Sequence, residues 1–119
     1  MIIVYGIKNC DTVKKALKWL GEKGVEHRFH DFRKDGISRT QIEGWIKELG
    51  MDRVLNKRGT TWRKLADEEK ENISEDQMID LLLEHSAMIK RPVIDFGTVR
   101  TIGFAKKDQE KISQILTLV

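Results

Sequence analysis

The first 32 residues change hydrophobic period twice, and this restricts the fold more than any other feature of the chain. Ile2-Ile3-Val4-Tyr5 is a β-branched and aromatic run closed by Gly6, the pattern of a strand buried on both faces. From Val13 the period becomes helical. Val13, Ala16, Leu17 and Leu20 fall at i, i+3, i+4 and i+7, with Lys14, Lys15 and Lys18 on the wet side and Gly21 and Gly24 punctuating the end. Val25 to Phe32 then reads as a second strand, stopped by the turn signal Lys34-Asp-Gly36. A strand, helix, strand order of this length predicts a βαβ unit, with two parallel strands side by side and the helix across one face.

The middle of the chain is helical in pattern. Ser38 and Gln41 form a capping box ahead of Ile42, Trp45, Ile46 and Leu49, and Gly50 stops that helix. Met51 to Leu65 predicts one or two short helical turns anchored by Leu55, Trp62 and Leu65. Ser74 to Gln77 is a second capping box, opening a helix whose Met78, Ile79, Leu81, Leu82 and Leu83 spread widely enough to predict burial between layers. The charged stretch Asp67 to Glu71 reads as a solvated loop or helix face. Val93 to Phe96, the turn Gly97-Thr98, and Val99 to Phe104 read as a β-hairpin. Asp108 is the expected cap of a last helix with Ile112, Ile115, Leu116 and Val119 on one face. The order βαβ, helical insertion, ββα makes the fold class α/β (α+β), expected as a single domain over 1–119 with the insertion at about 37–86.

Composition narrows the function classes. At 119 residues the chain is long enough for one core without staples. The 22 basic and 19 acidic residues are interspersed, so the net charge of +3 carries no concentrated basic block for direct nucleic-acid binding. No run approaches the roughly 18 apolar residues of a membrane span, and MIIVYGIKNC lacks a basic flank and a long apolar region, so an unprocessed soluble protein is expected. A single cysteine forms no intramolecular disulfide and no cysteine zinc cluster, which fits a cytoplasmic setting.

That cysteine, Cys10, is the first candidate for chemistry. It directly precedes a helix, where unpaired amides and the positive end of the macrodipole favour a thiolate. Lys8 would add to this effect and Asp11 would oppose it. A free cysteine is also among the most buried residue types and can act as a small hydrophobe, so position alone leaves both readings open. Pro92, the only proline, opens a strand; a trans bond is the general case there, and a cis bond would bring backbone close to the reactive turn. Arg91 and Arg58 are suited to a bidentate grip on a carboxylate or oxyanion. His27 and His30, at i and i+3 on a strand, point to opposite faces and cannot share a metal, so no metal site is assigned. His85 takes no role, and Trp45 and Trp62 sit at core spacing.

Four ordered motifs together carry a resemblance over essentially the whole chain. They are the strand followed by Tyr5-Gly-Ile-Lys-Asn-Cys10-Asp-Thr12, the stretch Leu55-Asn-Lys-Arg-Gly-Thr-Thr-Trp-Arg-Lys-Leu65, then Met88-Ile-Lys-Arg-Pro-Val93, and Ile102-Gly-Phe104. The sequence resembles the ArsC-like family of arsenate reductases and Spx/MgsR-type regulators, and within it the YffB branch. This resemblance implies a thioredoxin-like fold with Cys10 at the first strand-helix turn. It also implies Cys10 as nucleophile, Arg91 as the anion-binding arginine of the Arg-Pro motif, and Pro92 as the cis-proline of the thioredoxin fold. Two positions depart from the arsenate reductase pattern. The mid-chain arginine is replaced by Asn56, with Arg58 two residues later, and the late arginine by Gly103-Phe104. Each charge-assisted hydrogen bond is worth roughly 1.5–3 kcal/mol, so these changes weaken arsenate binding.

The expected function is a glutathione-dependent thiol reductase with one nucleophilic cysteine. Glutathione is its co-substrate and no cofactor is bound; Lys8, Asn9, Arg58, Arg91 and Pro92 form the substrate site, a small thiol or disulfide is the substrate, and glutaredoxin is a candidate partner. One alternative is an arsenate reductase with an altered arginine set. Another is a non-enzymatic, Spx-like regulator that binds RNA polymerase; with Val13 where such regulators often carry a second cysteine, an intramolecular redox switch is excluded.

Overall fold

The computed structural model describes residues 1–118, so the expectation for Val119 lies outside the described residues. Its backbone separates into two compact units, Met1–Asp35 together with the chain from Arg91 onward, and Gly36–Lys90.

The first unit is built on a four-stranded sheet in the order β2-β1-β3-β4. Strand β1, Ile2–Gly6, pairs in parallel with β2, His27–Asp31, in the register Val4↔Phe29 and Tyr5↔His30. Between them runs helix α1, Asp11–Glu22, which buries Val13, Ala16 and Leu20 of its predicted stripe and leaves Leu17 half-buried. The predicted βαβ unit is therefore present. Its helix ends later than Gly21 suggests: Gly21 lies inside α1, and Gly24, at φ +69°, supplies the left-handed residue beyond the cap. The amide of Val25 donates to Leu20 O at 3.1 Å and that of Gly24 to Gly21 O at 3.0 Å, the pair of bonds of a Schellman motif.

The predicted hairpin is β3, Val93–Asp95, and β4, Arg100–Ile102. Gly97, at φ +94°, opens the two-residue turn closed by Phe96 N donating to Val99 O at 2.9 Å, the position that hairpins of this kind reserve for glycine. Strand β3 lies antiparallel to β1, with Val4 opposite Ile94. Val4, Leu20, Ile94, Phe96 and Ile112 form the core of this unit. The closing helix runs Lys106–Leu118, and here the expectation for Asp108 is corrected. Asp108 is the third helical residue, not the cap, and its carboxylate accepts the Ala105 amide at 2.9 Å. Ala105 has no side chain to cap with, so the acidic residue one turn in takes up the free donor. A mixed sheet with parallel βαβ and antiparallel ββα halves is the thioredoxin-like arrangement.

The second unit is helical. It contains α2, Arg39–Leu49; α3, Met51–Val54; α4, Thr60–Lys64; α5, Asp67–Lys70; and α6, Glu75–Glu84, followed by a 3-10 turn at Ser86–Met88. The helix at Lys106–Leu118 is thus α7. Both predicted capping boxes close: Gln41 N donates to Ser38 Oγ and Gln77 N to Ser74 Oγ, each at 3.1 Å, and both glutamine side chains accept the cap amide in return. Helix α6 buries one stripe, Met78, Ile79 and Leu82, while Leu81 and Leu83 stay half-buried, so the predicted burial between layers is not what its side chains show. Leu55 is buried, whereas Trp62 and Leu65 are only half-buried. Among the described residues no helix is long and apolar enough to cross a membrane.

Candidate functional site

Cys10 stands at the point where β1 hands over to α1. After Gly6 the chain buries Ile7, turns at the exposed Lys8 and Asn9, and returns with Cys10 N donating to Ile7 O at 3.1 Å. Cys10 then takes an extended conformation (φ −85°, ψ 122°) as the N-cap of α1, and its carbonyl accepts the first helical bond from Lys14 N at 3.0 Å. An N-cap side chain sits over the second and third amides of its helix, here those of Thr12 and Val13. A serine or aspartate there would accept from those amides. The thiol closes no such cap bond, and the same amides instead favour its charged form.

Burial of the half-exposed sulfur pushes its pKa up, but other groups outweigh this. The Val13 amide donates toward the thiolate, the Arg91 guanidinium both donates to it and places a positive charge beside it, and the Thr12 amide adds to them. The net result holds Cys10 below the ordinary thiol value. That is the environment in which a cysteine becomes a nucleophile.

Arg91 is brought to the sulfur by the other end of the chain. It is half-buried, immediately before the buried Pro92 and strand β3, and the Arg91-Pro92 peptide bond is cis. General expectation for a strand-entry proline favours trans; the geometry here is the one the family resemblance implies. Pro92 O accepts the amide of Gly103 at 2.9 Å, which ties this turn to the end of β4. One residue further on, the Phe104 ring meets Trp19 edge-on at 5.5 Å.

The structure therefore brings the Arg91 guanidinium to Cys10, with Pro92 the next residue after that arginine and Lys8 and Asn9 exposed on the turn just before the cysteine. Arg58 belongs to the helical unit, where it is exposed in the link between α3 and α4. Asn56, in the same link, donates its amide to Met88 O at 2.7 Å, and Leu55 bridges Ile89. His27 Nδ1 pairs with Val25 O at 2.8 Å, and the His30 ring lies 4.8 Å from that of Tyr5. Among the described residues no group of three or more histidine, cysteine or acidic side chains gathers to hold a metal.

Two sets of residues were not singled out from the sequence. The amides of Thr12 and Val13 are one; the signal that would have found them is the cysteine's place at the N-cap. The other is Arg39, whose guanidinium reaches Asp80 at 2.7 Å, Asp76 at 2.9 Å and Glu43 at 3.4 Å, joining α2 to α6. No local pattern announces it, because Asp76 and Asp80 are far away in sequence.

The chain as a whole is similar to several known proteins. The sequence profile of the ArsC family matches residues 5–112. An uncharacterized protein of Haemophilus influenzae is 44% identical over 110 residues, spanning 92% of this chain and 96% of its own. The global transcriptional regulator Spx of Streptococcus pyogenes is 26% identical over 106 residues, 87% of this chain and 78% of its own. The solved structure of a YffB protein superposes with a TM-score of 0.86 at 41% identity, covering 93% of this chain and 97% of that one.

Proposed function

Because the chain belongs to the ArsC family, we propose that it is a glutathione-dependent thiol reductase whose only nucleophile is Cys10. The observation that carries this reading is a thiolate favoured by a guanidinium and two helix amides in a chain that has no second cysteine. The Cys10 thiolate attacks one sulfur of a disulfide, forming a mixed disulfide and releasing the other half as a thiolate. With no resolving cysteine in the chain, an external thiol completes the cycle. Glutathione attacks the mixed disulfide as its thiolate, Cys10 leaves as the thiolate, and the substrate half departs joined to glutathione. A second glutathione, or glutaredoxin, reduces that product.

Charge-assisted donation makes Arg91 the group that stabilises the departing sulfur and grips a substrate carboxylate. Lys8 and Asn9, exposed on the turn before Cys10, are candidates to meet a substrate approaching the sulfur. Asn56 and Gly103-Phe104, in place of two family arginines, argue against arsenate as the preferred substrate.

The test is incubation with oxidised glutathione followed by intact-mass analysis, then turnover of a glutathionylated peptide by reduced glutathione. One adduct per chain is expected, together with turnover that the Cys10→Ser variant lacks. Arg91→Met should lower kcat/KM by about tenfold to a hundredfold, the worth of one charge-assisted bond. Unchanged function in Cys10→Ser, or no adduct at all, would sink the reading in favour of a binding module; retention on RNA polymerase would then identify the Spx-like alternative.

A further inference from the structure

Gly6, the last residue of β1, is buried, and its lack of a side chain has a measurable consequence. A Cβ built there would lie 2.6 Å from Val13 Cγ2 and 3.3 Å from Val13 Cγ1, so the Val13 side chain rests directly on the bare Cα. Val13 is completely buried and β-branched, so it has no flexible end to swing aside. It is also the third residue of α1, and its amide is one of the two that face the N-cap cysteine and favour its thiolate. One residue thus makes both contacts: its side chain fixes the start of α1 against the strand, and its backbone faces the thiol.

We propose that Gly6 is a positioning residue: by letting Val13 seat against β1, it aims the Val13 amide at the Cys10 sulfur. A side chain at Gly6 would lift the first turn of α1 and withdraw that donor. The inference rests on Cys10 being the reacting group, and not on which disulfide it attacks.

The experiment tracks iodoacetamide alkylation of Cys10 against pH, with urea unfolding of each variant alongside. In Gly6→Ala the alkylation midpoint should move up, and the rate at pH 7 should fall by about fivefold, the equivalent of one ordinary hydrogen bond. In the double variant Gly6→Ala/Val13→Ala the added methyl meets only the remaining Cβ, at the 3.6 Å of ordinary contact, and the midpoint should return toward that of the parent. Leu20→Ala, in the core at the far end of the same helix, is the control: it should lower stability and leave the midpoint in place. Should Gly6→Ala fail to fold, Val13→Ile presses the same contact from the other side and should raise the midpoint.

The inference is overturned if the midpoint stays put in Gly6→Ala or, where that variant does not fold, in Val13→Ile. It is equally overturned if Leu20→Ala moves the midpoint as far. An ordinary midpoint in the parent protein would overturn the reading of Cys10 as a poised nucleophile as well, which separates the two failures.

Discussion

At the scale of single residues, Cys10 has the opposite of its usual fate. Partial burial alone would keep it neutral and inert, yet Arg91 and the first amides of α1 tip the balance to the thiolate. The pH dependence has a definite sign. Unfolded, the thiol titrates near its free value of about 8.5. Folded, it titrates lower, so the folded state binds fewer protons between the two values and its stability rises with pH across that window. The gain is complete above the unfolded value and disappears as pH falls through the lowered one. Urea unfolding under reducing conditions should therefore show the stability difference between wild type and Cys10→Ser growing as pH rises through this window. In an Arg91→Met background the same growth should be smaller but still present, because the Val13 and Thr12 amides remain, and unaltered growth there would show that the guanidinium contributes nothing. Cysteine at an N-cap was legible from the sequence, and so was its exposure to helix amides in general. Arg91 was a candidate only by residue type and resemblance, because its reach to the sulfur depends on the sheet placing β3 next to β1.

At the scale of elements, helix ends decide most of what the pattern leaves open. The two capping boxes were readable because they are local: Ser38 with Gln41 and Ser74 with Gln77 satisfy each other across three residues. Ser74→Ala removes the acceptor for the Gln77 amide and should cost about 1 kcal/mol, measured as a lower urea midpoint with unchanged slope. An equal loss in Ser38→Ala is expected on the same grounds. Asp108 shows where such local reading slips. Aspartate is favourable both at a cap and in the first turn, so the residue type alone leaves the start of α7 undetermined by a few positions. Helix α6 shows a different limit. Its five apolar residues spread over more than one face, and hydropathy counts them alike, whereas only Met78, Ile79 and Leu82 found packing partners deep enough to exclude water.

At the scale of the whole molecule, each unit has its own set of fully buried residues. Leu20, Ile94 and Ile112 close one face of the sheet in the first, and Ile42, Val54 and Leu82 are sealed in the helical one. Ile112→Ala opens a cavity beneath α7 and should lower stability by about 2–5 kcal/mol, while Ile112→Val should cost roughly 0.5–1.5 kcal/mol. A cost for Ile112→Ala within the range of a surface substitution, about ±0.5 kcal/mol, would contradict the packing described. Local pattern was enough to establish the order of the strands and of the longer helices, most of the buried stripe of α1, the hairpin turn at Gly97 and the place of Cys10 at the first strand-helix junction. All of these arise from steric and hydrophobic preferences acting over a few residues. It took the folded chain to establish the antiparallel seat of β3 beside β1, the Arg39 link to Asp76 and Asp80, the cis bond at Pro92 and the reach of Arg91 to the cysteine. Those depend on groups far apart in the chain meeting in space, where burial strengthens a charge's effect on its neighbour, and no local periodicity encodes that meeting.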